Sequence, residues 1–597
     1  MTTTVAAPLL GFASIDLAVL VIYVALIVVV GVVFSRYMKS ARDLFAAGGN
    51  APWWMAGISS YMAFFSAGTF VIWGSIAYIF GWVAITIQWV IIVGTLVATV
   101  FFAKRWKRAG VDSPIQFLEE RFSAGVRQLY VWVRLPFGVL LAAQATYSIA
   151  VLAHHQIGTY SLNTVIVVMV TVLVLYTVLG GLWAVLTTDL LQCFVLTFVT
   201  VLALPVALKA VGGLGTFVDK APVGFFRLAQ DTADYAEPSR VKFTWSYFFW
   251  WTIFQTFFIC TLWEFIQRFQ CCRSESDAKR SGYLVAGMYV VMPVFWLVPL
   301  MVYRVMNPSY YDSADPLATK QAEVVYVAMC QDLLPAGLTG LALAAMISAT
   351  VSTVSAGLNV MSAVVTRDFY ARLFRRDASE RELVLAGRAV LVVLGVIVAL
   401  VACKIKSWGG VVEFLFTILP IMIGPMAVPF LWGVVSRRTG AMAVWCAVLS
   451  GITCSLAVQF LAPQLGWRVT LASKLMASLA VPFLILLICR ALTRPTPKKQ
   501  RQIDAFFTRM DSPLDSLAPR TEADYGPIGI VGLLTAGLGV IMLQLIWFVK
   551  EQQLAILVFC LGLTVFGISL WLFARSAGRR NRSRVVDIQS KSRSSEE

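Results

Sequence analysis

The sequence predicts an all-α membrane protein that crosses the bilayer many times. Three observations carry that reading. Of 597 residues, 59% are hydrophobic and only 13% are charged. Mean hydropathy is +0.80. The apolar residues run in unbroken blocks of about 20, the length that crosses a hydrocarbon core of ~30 Å. A soluble domain of this size could not hide so much apolar surface.

Fifteen blocks of this kind can be read, at roughly 15–34, 53–79, 82–103, 127–153, 161–178, 183–210, 245–266, 282–303, 336–364, 387–404, 411–436, 441–462, 471–492, 527–549 and 553–575. An odd number puts the termini on opposite sides. With the N-terminus outside, the internal loops carry Arg36, Lys39 and Arg42; Lys104, Arg105, Lys107 and Arg108; Arg268, Arg273, Lys279 and Arg280. They also carry Arg367, Arg372, Arg375 and Arg376, then Arg437 and Arg438, then Lys498, Lys499 and Arg501, and the tail from Arg575 to Arg593. Roughly three quarters of Lys and Arg then lie in the cytoplasm, and the opposite orientation reverses this; the expectation is N-out, C-in.

The net charge of +17 thus reports membrane orientation rather than nucleic-acid binding. The short polar N-terminus lacks a basic region and a cleavage site, so the first block reads as a retained span. Ten Cys are scattered, and the adjacent Cys271 and Cys272 fall in an internal loop. Neither a disulfide framework nor a zinc site follows. Loops 211–244 and 304–335 read as external, with room for short helices. The Ser- and Arg-rich tail after Arg575 reads as disordered.

Two blocks are internally irregular. The second holds Gly57, Ser59, Ser60, Ser66, Ala67, Gly68 and Thr69 in an otherwise apolar run. The ninth runs Ala344-Ala345-Met346-Ile347-Ser348-Ala349-Thr350-Val351-Ser352-Thr353-Val354-Ser355-Ala356-Gly357. Small and hydroxylated residues allow close helix packing. They also suit a broken helix whose freed carbonyls coordinate a cation deep in the membrane. Composition leaves both readings open.

The run from Gly337 to Tyr370 closes on Asn359 and then Thr366-Arg367-Asp368-Phe369-Tyr370. It resembles the signature of the sodium:solute symporter family, a Ser/Thr-rich helix, an Asn and a Thr-x-Asp-aromatic-Tyr exit. Four further stretches are similar to that family in order and spacing. They are Asp112-Ser113-Pro114 through Leu118-Glu119-Glu120-Arg121-Phe122; Gly180-Gly181-Leu182-Trp183-Ala184-Val185 through Thr188-Asp189; Gln267-Arg268 with Ser274 to Ser281; and Gly424-Pro425 with Arg437-Arg438. Each alone is weak, but together they are in register over about residues 15–490.

The resemblance implies the inverted five-helix repeat shared with the bacterial leucine transporter. Residues 1–52 would be an external N-terminus and a peripheral first helix. The first repeat would be 53–210, an external loop 211–244 and the second repeat 245–436. Accessory helices at 437–492, a cytoplasmic loop at 493–526, two C-terminal helices at 527–575 and a basic cytoplasmic tail at 576–597 would follow. The first helix of each repeat would be broken near the midplane. Phe64 to Thr69 fits the first break; the second is less evident, because 245–266 contains no Gly or Pro.

By the same resemblance, a sodium site would use the carbonyls of Met62, Phe65 and Ala349 and the hydroxyls of Ser352 and Thr353. Dehydrated Na⁺ seeks about five hard oxygens, which such a set supplies without fixed charge. The alternative is that Ser352 and Thr353 bond back to the preceding helical turn. Some members have a second site needing Asp189 and hydroxyls at 355 and 356. Here Asp189 and Ser355 are present, and Ala356 lacks the hydroxyl. Asp189 could instead serve the start of its helix.

Sugar-transporting members place polar groups at positions that map to Phe64, Gln88, Tyr289 and Thr417, and Thr69 maps to another substrate-facing position. Only Gln88 keeps a strong amide, so a hexose fits poorly and a small organic acid, amino acid or compact heterocycle fits better. Arg134 either pairs with a substrate carboxylate or snorkels to the interface. Glu264 is either a gate residue or the partner of Arg268 one turn on. Gln255 is a further candidate, while His154 and His155 lie at a solvated helix end.

The function these residues point to is sodium-coupled import of a small organic solute by alternating access. Na⁺ is the coupling ion, the solute and the lipid bilayer are the partners, and the cell membrane is the location. No nucleic acid and no obligate protein partner is implied. A membrane sensor that keeps the fold is the rival reading, but only 493–526 and the short tail could signal. The loops carry no paired acids, triad, phosphate loop or metal cluster, so an enzyme has no basis. No repeated filter suggests a channel.

Overall fold

The computed structural model describes residues 14–35, 51–111, 114–157, 160–177, 182–230, 243–310, 322–335, 337–366, 370, 375, 379–513, 526–547 and 553–593. Arg36, Lys39, Arg42, Asp112, Ser113, Gly180, Gly181, Arg367, Asp368, Phe369, Arg372, Arg376 and the side chain of Ala356 lie outside the described residues.

Among the described residues the chain is helical, with one isolated bridge between Ala51 and Cys272. The first helices are α1 (Ser14–Ser35), α2 (Trp53–Met62), α3 (Thr69–Phe80) and α4 (Val83–Ala109). Next come α5 (Pro114–Arg121), α6 (Ala124–Ile157), α7 (Leu162–Thr177), α8 (Leu182–Val211), α9 (Trp245–Thr261), α10 (Trp263–Cys271) and α11 (Glu275–Met306). Then follow α12 (Val325–Leu333), α13 (Leu338–Val364), α14 (Glu380–Ile405), α15 (Val411–Val435), α16 (Ala441–Leu461) and α17 (Leu471–Leu492). The last are α18 (Pro497–Asp511), α19 (Gly526–Leu543) and α20 (Gln553–Arg593).

Among the described residues, ten helices have the length and composition to cross a bilayer, or eleven if α9 and α10 form one bent span. The remaining sequence blocks fall on α1, on the broken pair α2–α3 and on the shorter α7 and α19. Two expectations change. The segment 493–526, expected as a cytoplasmic loop, contains α18, whose Pro497 sits at its first turn, where the missing N–H costs nothing. The tail read as disordered continues α20 to Arg593, because its Arg-rich sequence contains good helix formers and no Pro.

Polar side chains close the helix ends. Thr244 accepts the N–H of Tyr247, Ser274 that of Asp277 and Ser379 that of Glu382. Asp16 of α1 does the same at a distance: its Oδ1 accepts the N–H groups of Gly337 and Gly340, each at 2.7 Å. It thereby caps α13, the hydroxyl-rich helix. Gly340 permits this approach, since a Cβ there would lie 2.4 Å from the Asp16 carbonyl oxygen.

The core is a bundle in which α11 packs on α2, α4 and α8, and α13 packs on α1, α6 and α8. α9 lies against α4 and α15. Arg121, fully buried, donates to the carbonyls of Gly433 (3.0 Å), Ser436 (2.5 Å) and Thr439 (3.2 Å) and so closes the end of α15. Burial pushes its guanidinium down to about 10, still protonated at neutral pH. α18 lies across this end, with Phe506 against Phe117 and the Asp511 carboxylate 2.8 Å from Arg437.

Candidate functional site

The second span breaks between Met62 and Thr69, and every N–H across the break has a partner. Those of Ala63, Phe64 and Phe65 donate to the carbonyls of Ser59, Tyr61 and Met62 at 2.8–3.3 Å. Ser66 N–H donates to the Thr69 hydroxyl (3.3 Å) and Gly68 N–H to that of Ser66 (3.2 Å). Ala67 N–H crosses to the hydroxyl of Thr350 on α13 (2.8 Å). Hydroxyl-rich sequence is thus what lets a helix open where water is absent. Aromatic rings brace the opening: Phe65 meets Trp296 edge-on at 4.4 Å, and Tyr61 meets Tyr289 at 5.2 Å.

The second break lies at Leu262, where α9 and α10 meet at 48°. One residue in the extended region (φ −67°, ψ 119°) is enough, and it requires neither Gly nor Pro.

The predicted ion ligands converge on the first break. Thr353 donates to the carbonyl of Phe65 at 2.9 Å, so two expected ligand oxygens from different helices lie side by side. Met62 supplies the carbonyl one turn earlier. Ala349 is buried one turn before Thr353. Ser352 turns aside and donates to Asp189 Oδ1 at 3.2 Å. Neither hydroxyl is confined to its own helix.

Asp189 is about two turns into α8 and buried, so it does not serve the helix start. Its Oδ2 accepts from Ser59 at 2.5 Å and lies 3.7 Å from Arg268 Nη2. Arg268 also donates to Ser59 Oγ (3.2 Å) and to the Glu264 carbonyl (3.3 Å). Of the two readings of Glu264, the pair with Arg268 does not form through its carboxylate: Arg268 pairs with Asp189 and Glu264 with Arg134. Ser355 is not brought to Asp189; its hydroxyl is 3.0 Å from that of Thr177 on α7. Three residues past Ser352, it is turned about 300° around the helix.

Beside these groups lies a cavity of about 250 Å³. Phe64, Phe65, Thr69, Gln88, Arg134, Asp189, Gln255, Glu264, Tyr289, Ser352 and Thr353 all line it. Thr417 does not. α15 turns Leu415 and Leu419 inward, one turn apart, which points Thr417 away toward Gln459 Nε2 at 3.5 Å. Arg134 does not snorkel. It pairs with Glu264 Oε1 at 3.2 Å, its guanidinium 4.1 Å from the Trp263 ring. Sequence reasoning missed Trp251, Trp296 and the particular roles of Thr350 and Ser59; only Thr350 and Ser59 carried a signal, in their runs of small and hydroxylated residues.

A bundle of apolar helices with two broken spans, a central cavity and clustered buried oxygens defines a membrane transporter. The family profile of sodium:solute symporters matches residues 44–452. The chain belongs to the sodium:solute symporter family: it is a sodium-coupled, multi-pass transporter of the cell membrane and not an enzyme. It is 27% identical over 460 residues to the sodium/sialic acid symporter NanT of Aliivibrio fischeri, covering 75% of this chain and 88% of that one. To the sodium/glucose cotransporter of Vibrio parahaemolyticus it is 25% identical over 486 residues, covering 76% and 86%. A solved structure of a Na⁺-coupled sialic acid symporter, in a substrate-bound outward-open state, shares the fold with a TM-score of 0.68 at 24% identity. That match covers 81% of this chain and 98% of the other.

Proposed function

We propose that sodium binds at the first helix break and drives a compact organic solute through the adjoining cavity. The observation that carries this is the Thr353 hydroxyl on the Phe65 carbonyl, which ties the hydroxyl helix to the break. A cation between them would draw on the carbonyls of Met62, Phe65 and Ala349 and on the hydroxyls of Thr353 and Ser352. Asp189, the acid that a second ion site would need, is taken up by Ser59, Ser352 and Arg268, and Ser355 is turned away from it to Thr177. Because Arg268 already neutralises Asp189, one ion per cycle is the stoichiometry this arrangement supports.

The chain crosses the bilayer fifteen times, N-out and C-in, with inverted repeats at 53–210 and 245–436. The positive-inside pattern and the paired breaks in α2–α3 and α9–α10 support that topology. The solute contacts Phe64, Thr69, Gln88 and Tyr289, with Arg134 and Glu264 at the edge. A cavity of about 250 Å³ lined by aromatic rings favours a small organic acid, amino acid or compact heterocycle over a hexose. Each charge gains about 2.3 kcal/mol per 100 mV. A tenfold sodium gradient adds about 1.4 kcal/mol, so one ion supports accumulation of several-hundred-fold.

The test is uptake by proteoliposomes against a panel of labelled solutes, with sodium or choline outside. Uptake that requires inward sodium is expected. Equal rates in choline would sink the coupling mechanism.

A further inference from the structure

The helix α18 has two unlike faces. Ile503, Phe506, Phe507 and Met510 recur at helical spacing, and none is more than 5% exposed. Arg501, Asp504, Thr508 and Arg509 stand in the open on the other face. A helix of 15 residues is marginal in water on its own, so burial of the apolar stripe holds it in place.

That stripe bridges two sets of helices. Phe506 meets Phe117 of α5 at 5.7 Å, and Phe507 lies 5.0 Å from the guanidinium of Arg437, in the turn after α15. Arg509 pairs with Glu120 of α5, and Arg437 with Asp511 at 2.8 Å. The same Asp511 reaches the end of α4. Its carboxylate is 3.6 Å from Arg105, and its carbonyl accepts from Arg108 at 2.9 Å. Arg108 in turn holds Glu275, at the start of α11, through bonds of 2.8 and 2.7 Å. Beside the stripe, Trp106 of α4 packs on Phe117 (5.0 Å) and on Phe430 of α15 (5.7 Å).

The bridged helices are the walls of the cavity. Gln88 of α4 and Tyr289 of α11 line one side; Phe137 of α6 and Leu419 of α15 line the other. α18 therefore crosses the seam between the walls, at the end that is cytoplasmic in the proposed topology. A solute leaving there requires α4 to part from α15. That movement draws Trp106 away from Phe430, and Arg105 and Arg108 away from Asp511.

We infer that α18 is a strap that holds this end of the transport route shut, with Asp511 as its clasp on α4. This rests on the cavity being that route. The clasp is built from partly exposed charges, which attract weakly in water and release readily. The aromatic stripe keeps α18 seated on α5 and the end of α15 when the clasp opens.

Thr261 is the reporter position. It lies with Tyr130, Met426 and Phe430 in a small pocket between the cavity and the strapped end. Its hydroxyl donates within its own helix, to the carbonyls of Phe257 and Phe258. The full chain carrying Thr261→Cys, in nanodiscs, is reacted with a charged maleimide, and each cysteine is followed by peptide mass spectrometry. Adding Arg105→Gln/Asp511→Asn should speed labelling at position 261 about threefold. Adding Arg509→Gln removes a similarly exposed pair that does not cross the seam, and should leave the rate unchanged. The buried native Cys193 and Cys330 should label at the same rate throughout, which a loosened fold would not allow. Met426→Cys, in the same pocket, is the second reporter.

Unchanged labelling at both reporters in the clasp variant, an equal rise with Arg509→Gln, or a rise shared by Cys193 and Cys330 would each overturn the strap. The readout needs no solute, so none of these outcomes touches symport. Uptake that is equal in choline overturns symport instead.

Discussion

Asp189→Asn is the sharpest test of the buried cluster. The substitution keeps the shape and removes the charge that faces Arg268 at 3.7 Å. At an effective dielectric of about 20, that separation corresponds to about 4.5 kcal/mol. Arg268 is only 3% exposed, and its remaining contacts are neutral: Ser59, the Glu264 carbonyl and Gln267. Removing one partner of a buried pair typically costs about 3–5 kcal/mol, because the other charge is stranded. The purified variant should therefore denature at a clearly lower temperature. The double variant Asp189→Asn/Arg268→Gln should recover much of the loss.

Transport distinguishes this from an ion-ligand role. With Asp189 engaged by Arg268, the wild type should show a sodium Hill coefficient near one and move one charge per neutral solute. Charge and solute flux measured together give the ratio. A wild-type ratio of two that falls to one in Asp189→Asn would refute the assignment of Asp189 to Arg268 rather than to a second sodium. An Asp189→Asn protein as stable as wild type would refute the pairing itself.

Thr353→Ala removes one oxygen of the expected ion shell, worth about 1 kcal/mol, and should raise half-saturating sodium about fivefold. Ser352→Ala should do so too, and unchanged sodium dependence in both would remove the site from this break. Gly340→Ala drives a Cβ to 2.4 Å from the Asp16 carbonyl. It should destabilise the protein by about 1–3 kcal/mol, read as a drop in thermal midpoint; a midpoint equal to wild type would mean that α1 does not sit on α13. A reporter fused after Glu597 should be cytoplasmic and one at the N-terminus external, and both on one side would change the span count by one.

Local features of this fold were legible, and distant pairings were not. Ser66 and Thr69 announced the first break because their hydroxyls accept backbone N–H groups within a few residues, those of Gly68 and Ser66. The second break left no mark, since Leu262 reaches its extended conformation without a special residue. Thr417 was misplaced because a resemblance aligns helices along their length but does not fix which face a residue presents. Arg134 and Glu264 are 130 residues apart, as are Ser59 and Asp189. Nothing in either sequence neighbourhood names the partner, so the sequence leaves Arg134 between a substrate carboxylate and the interface, and Asp189 between a second sodium and the start of its helix. The Glu264–Arg268 spacing of four suggested a pair on one helix; the bend at Leu262 and the proximity of α8 gave Arg268 a different acid.

The contact of Asp16 with Gly337 and Gly340 also sets a clock. The acid and the first amide it caps are 321 residues apart. At a synthesis rate of about 5–20 residues per second, the second arrives roughly 15–65 seconds after the first. Through that interval the Asp16 carboxylate lacks the two donors it has in the finished fold. The hydroxyl-rich helix α13 emerges with its first turn open and is finished by a residue made 321 positions earlier. The capped form of α13 is therefore complete only after both segments have been made and α1 has docked on it.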